Sequence, residues 1–199
     1  MVFSFWPRLT PYFWLWLLFL PATVGLMSQV LRLSTWDQRL LVLGFGLLSL
    51  DQARMALVDL GNIRQVKQAL VNPAPALQSF TVLTWMTIVW EVLGFYWGIF
   101  QLGTGILLVL SSQVWFNALA SIRLIPAPEP VIEVRAWQEK IPVLLADALG
   151  MALMGLWLHH IAPLTIVVGL WAIALVYGGV KLTKIIAEEH RARMAKPEP

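Results

Sequence analysis

Apolar blocks separated by short polar segments set the pattern of this chain. A membrane-spanning helix needs about 20 apolar residues at a rise of about 1.5 Å each. The blocks that approach or exceed this length are residues 11–31, 40–60, 79–120, 141–158 and 164–180. Residues 79–120 are long enough for two helices that turn near residues 98–105. The pattern predicts an all-α, polytopic transmembrane helix bundle with about six spans, in one domain over residues 1–199.

Polar and proline-rich stretches predict where the chain leaves the membrane. Residues 72–78 read NPAPALQ and predict a linker, while residues 123–140 contain PAPEP and predict an exposed loop. The sequence HHIAP predicts a tight turn after the fifth span. Residues 181–199 predict a short basic tail that is amphipathic at first and disordered at its end.

The second span leaves an alternative open. Apolar residues recur at positions 53, 56, 57, 60, 63, 66 and 70, a helical spacing that predicts one buried stripe. Residues 38–71 are therefore predicted to form one long helix that spans the membrane and emerges as an amphipathic extension. In the alternative this helix lies on the membrane surface, which leaves five spans and an external N-terminus.

Basic residues outside the spans predict the orientation, because cytoplasmic loops carry an excess of Lys and Arg. The predicted cytoplasmic bases are Arg64, Lys67, Arg123, Arg135, Lys140, Lys181, Lys184, Arg191, Arg193 and Lys196. Both termini are predicted to be cytoplasmic, in a bacterial inner membrane or a cyanobacterial thylakoid. Arg32 and Arg39, in the first external loop, depart from this rule.

Composition supports a lipid environment and excludes several kinds of site. The chain is 59% hydrophobic and only 13% charged, whereas soluble domains carry about a quarter charged residues. Membrane lipids are therefore the expected surroundings, and topology rather than nucleic acid explains the net charge of +3. Since cysteine is absent, disulfides and metal sites built on thiolates are excluded.

Charged residues inside the predicted spans are the first functional candidates, because such charges are costly and usually pair inside a bundle. Asp51 and Arg54 are three residues apart and share a helix face. Asp147 is predicted at a similar depth in the fifth span. The three are predicted to form an intramembrane charge cluster that fixes helix packing or lines an ion or proton path. Alternatively, Arg54 snorkels to the nearby interface.

Glu91 is a fourth intramembrane charge, in the third span beside Trp90. We predict a protonated or hydrogen-bonded acid packed against Gln113 or Asn117 of the neighbouring helix. The alternative is a ligand or proton-relay site.

His159 and His160 end the fifth span and are candidate cofactor ligands, since histidine binds metals, haem and chlorophyll. Adjacent residues on a helix point about 100° apart, so the pair is not bidentate. We predict interfacial residues that terminate a helix before Pro163, and no metal site.

The segment 123–140 is a candidate docking site for a membrane-protein partner. Trp137 lies among polar residues, where an aromatic anchor beside Arg135 is typical of a protein interface. An interfacial position before the fifth span explains Trp137 equally well.

A short stretch resembles part of a pigment-binding helix. The sequence ARMALVDLG, with Asp51 upstream, is similar to the E-x-x-N-x-R-x-A-M motif of light-harvesting and high-light-inducible chlorophyll-binding proteins. Asp51 replaces the Glu, the Arg spacing is shorter, the ligand Asn is missing and AM reads MA, so no ligand is carried over. In general composition the chain resembles small cyanobacterial thylakoid membrane proteins. This resemblance implies chlorophyll or carotenoid as a candidate cofactor and photosystem assembly as a candidate role.

The motifs of hydrolases, metalloproteases and nucleotide-binding enzymes do not occur, so no catalytic residue and no enzyme activity is predicted. The expected function is that of a non-catalytic membrane protein, an auxiliary subunit or assembly factor of a larger complex. The alternative is a small transporter or channel component that uses the intramembrane Asp, Arg and Glu residues.

Overall fold

The computed structural model describes residues 11–70, 75–125 and 131–194. Its elements are α1 (Pro11–Val30), α2 (Trp36–Ala69), α3 (Pro75–Phe100), α4 (Leu102–Leu119), β1 (Ile122–Ile125), β2 (Val131–Val134), α5 (Trp137–Leu158) and α6 (Pro163–Met194). The predicted all-α bundle is confirmed. Helices α1 to α5 are each long and apolar enough to cross a membrane, so the protein is a multi-pass membrane protein. The apolar part of α6, Pro163–Val176, is shorter.

Helix α2 is one continuous helix of 34 residues, as the spacing of its apolar positions predicts. At about 1.5 Å per residue it is about 51 Å long, which exceeds a hydrocarbon layer of about 30 Å. Leu41, Val42 and Phe45 in its first half are buried in the main core with side chains of α1 and α3. This packing favours the spanning interpretation over a helix that lies on the membrane surface.

The helices run up and down, which gives the bundle two ends. The turn end consists of residues 31–35, Gln101 and residues 159–162, where short connections join successive helices. The indole of Trp157 donates a hydrogen bond of 3.0 Å to Asp37 at this end. The hairpin end consists of the last turns of α2 and α4, the first turns of α3 and α5, and the two strands.

Glycines bring α3 and α4 into direct backbone contact near the turn end. Gly94 and Gly98 are four residues apart on α3 and face Gly105 of α4. A Cβ atom at Gly105 would overlap the backbone of Gly98. Small residues at such spacing allow membrane helices to approach closely.

Three phenylalanines pack together within the main core, among mostly aliphatic side chains. Phe95 of α3 is fully buried, and its ring centroid lies 5.9 Å from that of Phe19 and 4.8 Å from that of Phe45. This aromatic cluster (Phe19, Phe45 and Phe95) joins α1, α2 and α3.

The segment after α4 is a β-hairpin, so the prediction of an exposed loop is wrong there. Strands β1 and β2 pair antiparallel, with register Ile122↔Val134, Arg123↔Glu133, Leu124↔Ile132 and Ile125↔Val131. Ile122 and Leu124 are buried with Ile63 and Phe80 of the helices, while Arg123 points outward to Glu133. The alternation of apolar and polar residues in IRLI is the physical reason, since one face of the ribbon covers the helix ends. PAPEP, residues 126–130, lies outside the described residues.

Other predicted boundaries shift at the chain ends and connections. Helix α6 continues to Met194, so residues 181–194 of the predicted tail are helical. Lys196 and the rest of residues 195–199, where the disordered end was predicted, lie outside the described residues, as do residues 72–74 of the predicted linker.

Candidate functional site: a polar cavity that ends at Glu91

A cavity of about 520 Å³ lies between α2, α3, α4 and the β-hairpin, on the hairpin end of the bundle. Its volume falls within the range of about 300–1,000 Å³ that small-molecule sites occupy. We call it the polar cavity because amides and charges line it. The amides are Gln52, Asn62, Gln113 and Asn117, and the charged residues are Asp59, Glu91, Arg123, Arg135 and Glu139.

Helix α3 supplies one wall of the cavity through residues at helical spacing. Phe80, Thr84, Thr87 and Glu91 recur every three or four positions and all face the cavity. The hydroxyls of Thr84 and Thr87 donate hydrogen bonds of 2.9 Å to the carbonyls of Phe80 and Leu83. Because the hydroxyl hydrogens are used in this way, the threonine oxygens offer acceptor positions to the cavity.

Glu91 forms the inner end of the cavity. It lies about 24 Å from the start of α3 and about 14 Å from its end at Phe100, near the middle of a hydrocarbon layer about 30 Å thick. Its side chain is only 3% exposed. The side-chain amide of Gln113 donates a hydrogen bond to Glu91, so the predicted contact with Gln113 is present.

A second polar chain crosses α4 at the side of the cavity. Arg135 donates from Nη1 to Oδ1 of Asn117 at 3.4 Å, and Asn117 donates from Nδ2 to Oδ2 of Asp147 at 3.3 Å. Asn117 is buried, so its side chain joins the guanidinium after the hairpin to the carboxylate of α5.

The predicted cluster of Asp51, Arg54 and Asp147 divides into two separate arrangements. Arg54 donates to Asp51 from Nη2 at 2.7 Å and from Nε at 2.9 Å, which confirms that pair. The two side chains are 49% and 47% exposed, so they are not in the bundle interior. The predicted Arg54–Asp147 pair is wrong, because α5 packs against α4 and α6 and Asp147 therefore meets Asn117.

Asp51 and Arg54 pair with each other on the outer surface of the bundle, where both side chains are about half exposed. Arg54 lies about 27 Å from the start of α2 at Trp36 and about 22 Å from its end at Ala69. A guanidinium at such a position extends toward the membrane interface along its own stem.

The two residues predicted for partner docking face different surroundings. The side chain of Arg135 lines the polar cavity, and its backbone N–H donates to the carbonyl of Ser121 at 2.9 Å. Trp137 is 59% exposed at the start of α5. The structure therefore does not bring them together on one exposed surface.

Lys140 is a polar core residue that the sequence reading did not single out. It is buried, and its ammonium donates to the carbonyl of Ala118 at 3.1 Å. That carbonyl belongs to the last turn of α4, where backbone oxygens lack helical partners. The Lys140 ammonium also lies 5.4 Å from the ring of Trp137.

His159 and His160 lie exposed in the turn between α5 and α6. His160 has a φ of 59° and Ala162 one of 41°, a left-handed backbone that reverses the chain within a few residues. Across residues 11–70, 75–125 and 131–194, no three His, Asp or Glu side chains come together in a way that would hold a metal ion.

Asp59, Gln52 and Asn62 are cavity residues that the sequence reading missed. They recur at positions 52, 59 and 62, on the face of α2 toward the cavity. A polar stripe at helical spacing was the available signal, matched by positions 84, 87 and 91 of α3 and by 113 and 117 of α4. The three stripes meet only after the helices pack.

The inner end of the polar cavity carries an acid and an amide, Glu91 and Gln113. Its mouth carries the bases Arg123 and Arg135 together with the acid Glu139. Arg123 donates to Glu133 at 2.6 Å, and this hydrogen bond and the charge of Glu133 raise the pKa of the Arg123 guanidinium. The inner end is therefore suited to a group that donates hydrogen bonds or carries positive charge.

Comparisons of this chain with protein-family models, with curated proteins and with solved structures find no match.

Proposed function

We propose that this membrane protein binds a small polar solute that carries a positively charged group, as a transporter or channel component does. The observation that carries the proposal is the polar cavity that ends at the buried Glu91. Ionisable and amide side chains inside a membrane bundle are expensive, and they usually mark the path of an ion or a substrate. This function is the alternative among the expectations from sequence, and the cavity now makes it the first choice.

The side chains at the inner end of the polar cavity favour a solute with a positively charged group. An ammonium group against Glu91 gains a charge-assisted hydrogen bond, which is about twice as strong as a neutral one. Gln113 and the oxygens of Thr84 and Thr87 accept further hydrogen bonds from the same solute. An anion would instead meet the carboxyl groups of Asp59 and Glu91.

Access to Glu91 is from the hairpin end. On the other side of Glu91, Phe95 lies one helical turn further along α3 and packs on Phe19 and Phe45. Transport to the turn end would require a second arrangement in which this aromatic cluster separates. A binding protein without transport needs no such arrangement.

Binding is tested with a matched pair of small probes and a matched pair of variants. We expect ethanolamine, but not the uncharged ethylene glycol, to raise the unfolding temperature of the detergent-solubilised protein. Glu91→Gln should abolish the shift, and Asp51→Asn, which alters an acid outside the cavity, should retain it. An equal shift in all three proteins, or none in the wild type, would reject the cationic class.

Transport is tested separately by uptake of labelled ethanolamine into proteoliposomes. Uptake by the wild type and by Asp51→Asn, with loss in Glu91→Gln, would support a transporter. Binding without uptake would support a solute-binding subunit instead.

The orientation belongs to the same proposal. The hairpin end carries Arg64, Lys67, Arg123 and Arg135, so by the excess of bases it is the cytoplasmic end, and both termini are cytoplasmic. Because the chain has no cysteine, single-cysteine variants report one position each. In intact cells an impermeant maleimide should label Ser34→Cys at the turn end but not Ser121→Cys at the hairpin end. The reverse pattern would invert the orientation.

A second candidate function is that of an auxiliary subunit or assembly factor of a membrane complex. The observation that favours it is α5, in which the buried residues are Lys140, Gly150 and Met154 among 22. Leu145 on this helix is 65% exposed and Trp137 at its start is 59% exposed. Leu145→Ala with Trp137→Ala should release a protein partner that co-purifies with the wild type in mild detergent. Unchanged recovery of that partner would remove this candidate.

The membrane itself is proposed to be a bacterial inner membrane or a cyanobacterial thylakoid, the latter on the resemblance of the chain to thylakoid proteins. A thylakoid role with chlorophyll or carotenoid predicts visible absorbance of the purified protein. A colourless preparation from a pigmented host would remove the pigment from the proposal.

A further inference from the structure

A second groove, of about 530 Å³, lies between α1, α2 and α3 at the hairpin end. It shares no lining residue with the polar cavity. We call it the basic groove, because Arg64 and Lys67 of α2 line it and none of the described residues in its lining is acidic. It is independent of the site assigned to the cationic solute.

The basic groove has a cationic rim and an apolar floor. Arg64 and Lys67 are three residues apart in the last turns of α2, and both are exposed. The floor consists of Leu15, which is 1% exposed, and Ile63, which is 6% exposed. A ligand that fills the groove must therefore be anionic at one end and apolar at the other.

The cationic rim and the apolar floor of the groove lie at different depths along the membrane normal. Lys67 lies about 3 Å from the end of α2, whereas Trp85 lies about 15 Å into α3 from its start at the same end of the bundle. The rim is therefore at the level of lipid headgroups and the floor extends toward the acyl chains. Trp85 is 48% exposed, and its indole borders the floor on the lipid side.

We propose that the basic groove binds one anionic phospholipid from the leaflet at the hairpin end. Its phosphate lies against Arg64 and Lys67, with the Gln68 amide as a further donor, and the start of one acyl chain lies on Leu15 and Ile63 beside Trp85. A guanidinium is suited to a phosphate group because it donates two parallel hydrogen bonds. Basic pockets between membrane helices are typical sites for anionic headgroups. A free phosphate ion would use the rim alone and would leave the apolar floor without a function.

The test is native mass spectrometry of the full chain, released from detergent micelles that contain equal amounts of phosphatidylglycerol and phosphatidylcholine. We expect the wild type to retain one phosphatidylglycerol in preference to phosphatidylcholine. Arg64→Gln with Lys67→Gln should weaken that retention about 30-fold, from the contribution of two basic groups near a membrane surface. Arg32→Gln with Arg123→Gln removes the same charge elsewhere and should retain the lipid.

Further variants and a soluble competitor test whether a folding defect or a free phosphate compound explains the result. Arg64→Lys with Lys67→Arg keeps the charge and should restore retention, and the single change Lys67→Gln should weaken it about fivefold. Glu91→Gln in the polar cavity should leave it unchanged. Equal retention of both lipids, or displacement of phosphatidylglycerol by soluble glycerol phosphate, would overturn the proposal of a lipid site.

Discussion

Around Phe95 the helices of this bundle touch one another directly, whereas one turn nearer the hairpin end the same helices separate around a polar cavity. Helix α3 passes through both regions with the same face. In the closed region that face carries Gly94, Phe95 and Gly98, and in the open region it carries Thr84, Thr87 and Glu91. In the closed region, glycine allows the helix backbones to touch and phenylalanine fills the space beside them. In the open region, threonine and glutamate place polar atoms on the wall of the cavity.

A shortage of apolar side chains does not explain the cavity. The chain closes its helices completely where the sequence provides Phe19, Phe45 and Phe95. Where it provides Gln113, Asn117 and Glu91 instead, space remains at a cost in stability that a purely structural bundle would avoid. The open region is therefore the part of the molecule to which we assign function.

The largest expected effect comes from breaking the closed region at its backbone contact. In Gly105→Leu the side chain would overlap the backbone of Gly98, which cannot move as a side chain would. We expect a loss of about 5 kcal/mol or more in the free energy of unfolding, which is about a third or more of the stability of a typical domain. Unfolding in SDS and mild-detergent mixtures measures it. Gly169→Leu is the matched control, because among the described residues no atom outside the adjacent backbone of its own helix lies within 4 Å of a Cβ there.

Removing the centre of the aromatic cluster should have the next largest effect. Phe95→Ala leaves a cavity among Phe19 and Phe45, and such truncations cost about 3–5 kcal/mol. Thr84→Ala in the open region removes a hydroxyl that bonds only within its own helix and should cost less than about 1 kcal/mol. Equal losses in the two variants would show that the two regions are packed alike.

A single and a double variant test whether the Glu91–Gln113 pair of the open region costs stability. Glu91→Leu leaves the amide of Gln113 without its acceptor, so we expect a cost of about 1–3 kcal/mol. Glu91→Leu with Gln113→Leu replaces both partners and should be close to neutral or stabilising. Both are measured by the same unfolding titration, together with ethanolamine binding, which both should lack. A double variant less stable than the single would contradict the view that this pair is retained for function.

The smallest effect is expected at the exposed ion pair of α2. Arg54→Gln should change the free energy of unfolding by about 0.5 kcal/mol or less, because half-exposed ion pairs contribute little. A loss of more than about 2 kcal/mol in the same titration would place Arg54 in a buried network after all.

The sequence allowed the helices, the Asp51–Arg54 pair and one contact of the site to be predicted. Local signals suffice for these: apolar blocks of spanning length, the three-residue spacing of Asp51 and Arg54, and the position of Gln113 in the helix that follows Glu91 in a hairpin. The long helix α2 was predictable for the same reason, since its apolar stripe is a property of the segment itself.

The contacts that depend on the arrangement of separate helices were not predictable. The similar depth of Arg54 and Asp147 predicts that the two residues are in contact. The partner of Asp147 depends instead on which helices are neighbours, and α5 packs against α4. The β-hairpin is not apparent from the sequence, because the prolines of PAPEP indicate a loop and the alternation of IRLI covers only four residues. The polar cavity requires stripes from α2, α3 and α4 to face one axis, which no single stripe specifies.

The glycine contact between α3 and α4 has a mechanical consequence. At Gly98 and Gly105 the two helices meet through backbone atoms, so no side-chain rotamer change at that point could let them slide or part. Helices α3 and α4 are therefore expected to move as one rigid pair, with Glu91 on α3 and Gln113 on α4. For the transport proposed above, opening toward the turn end would come from movement of α1 and α2 away from Phe95, while α3 and α4 keep the solute-binding residues in place.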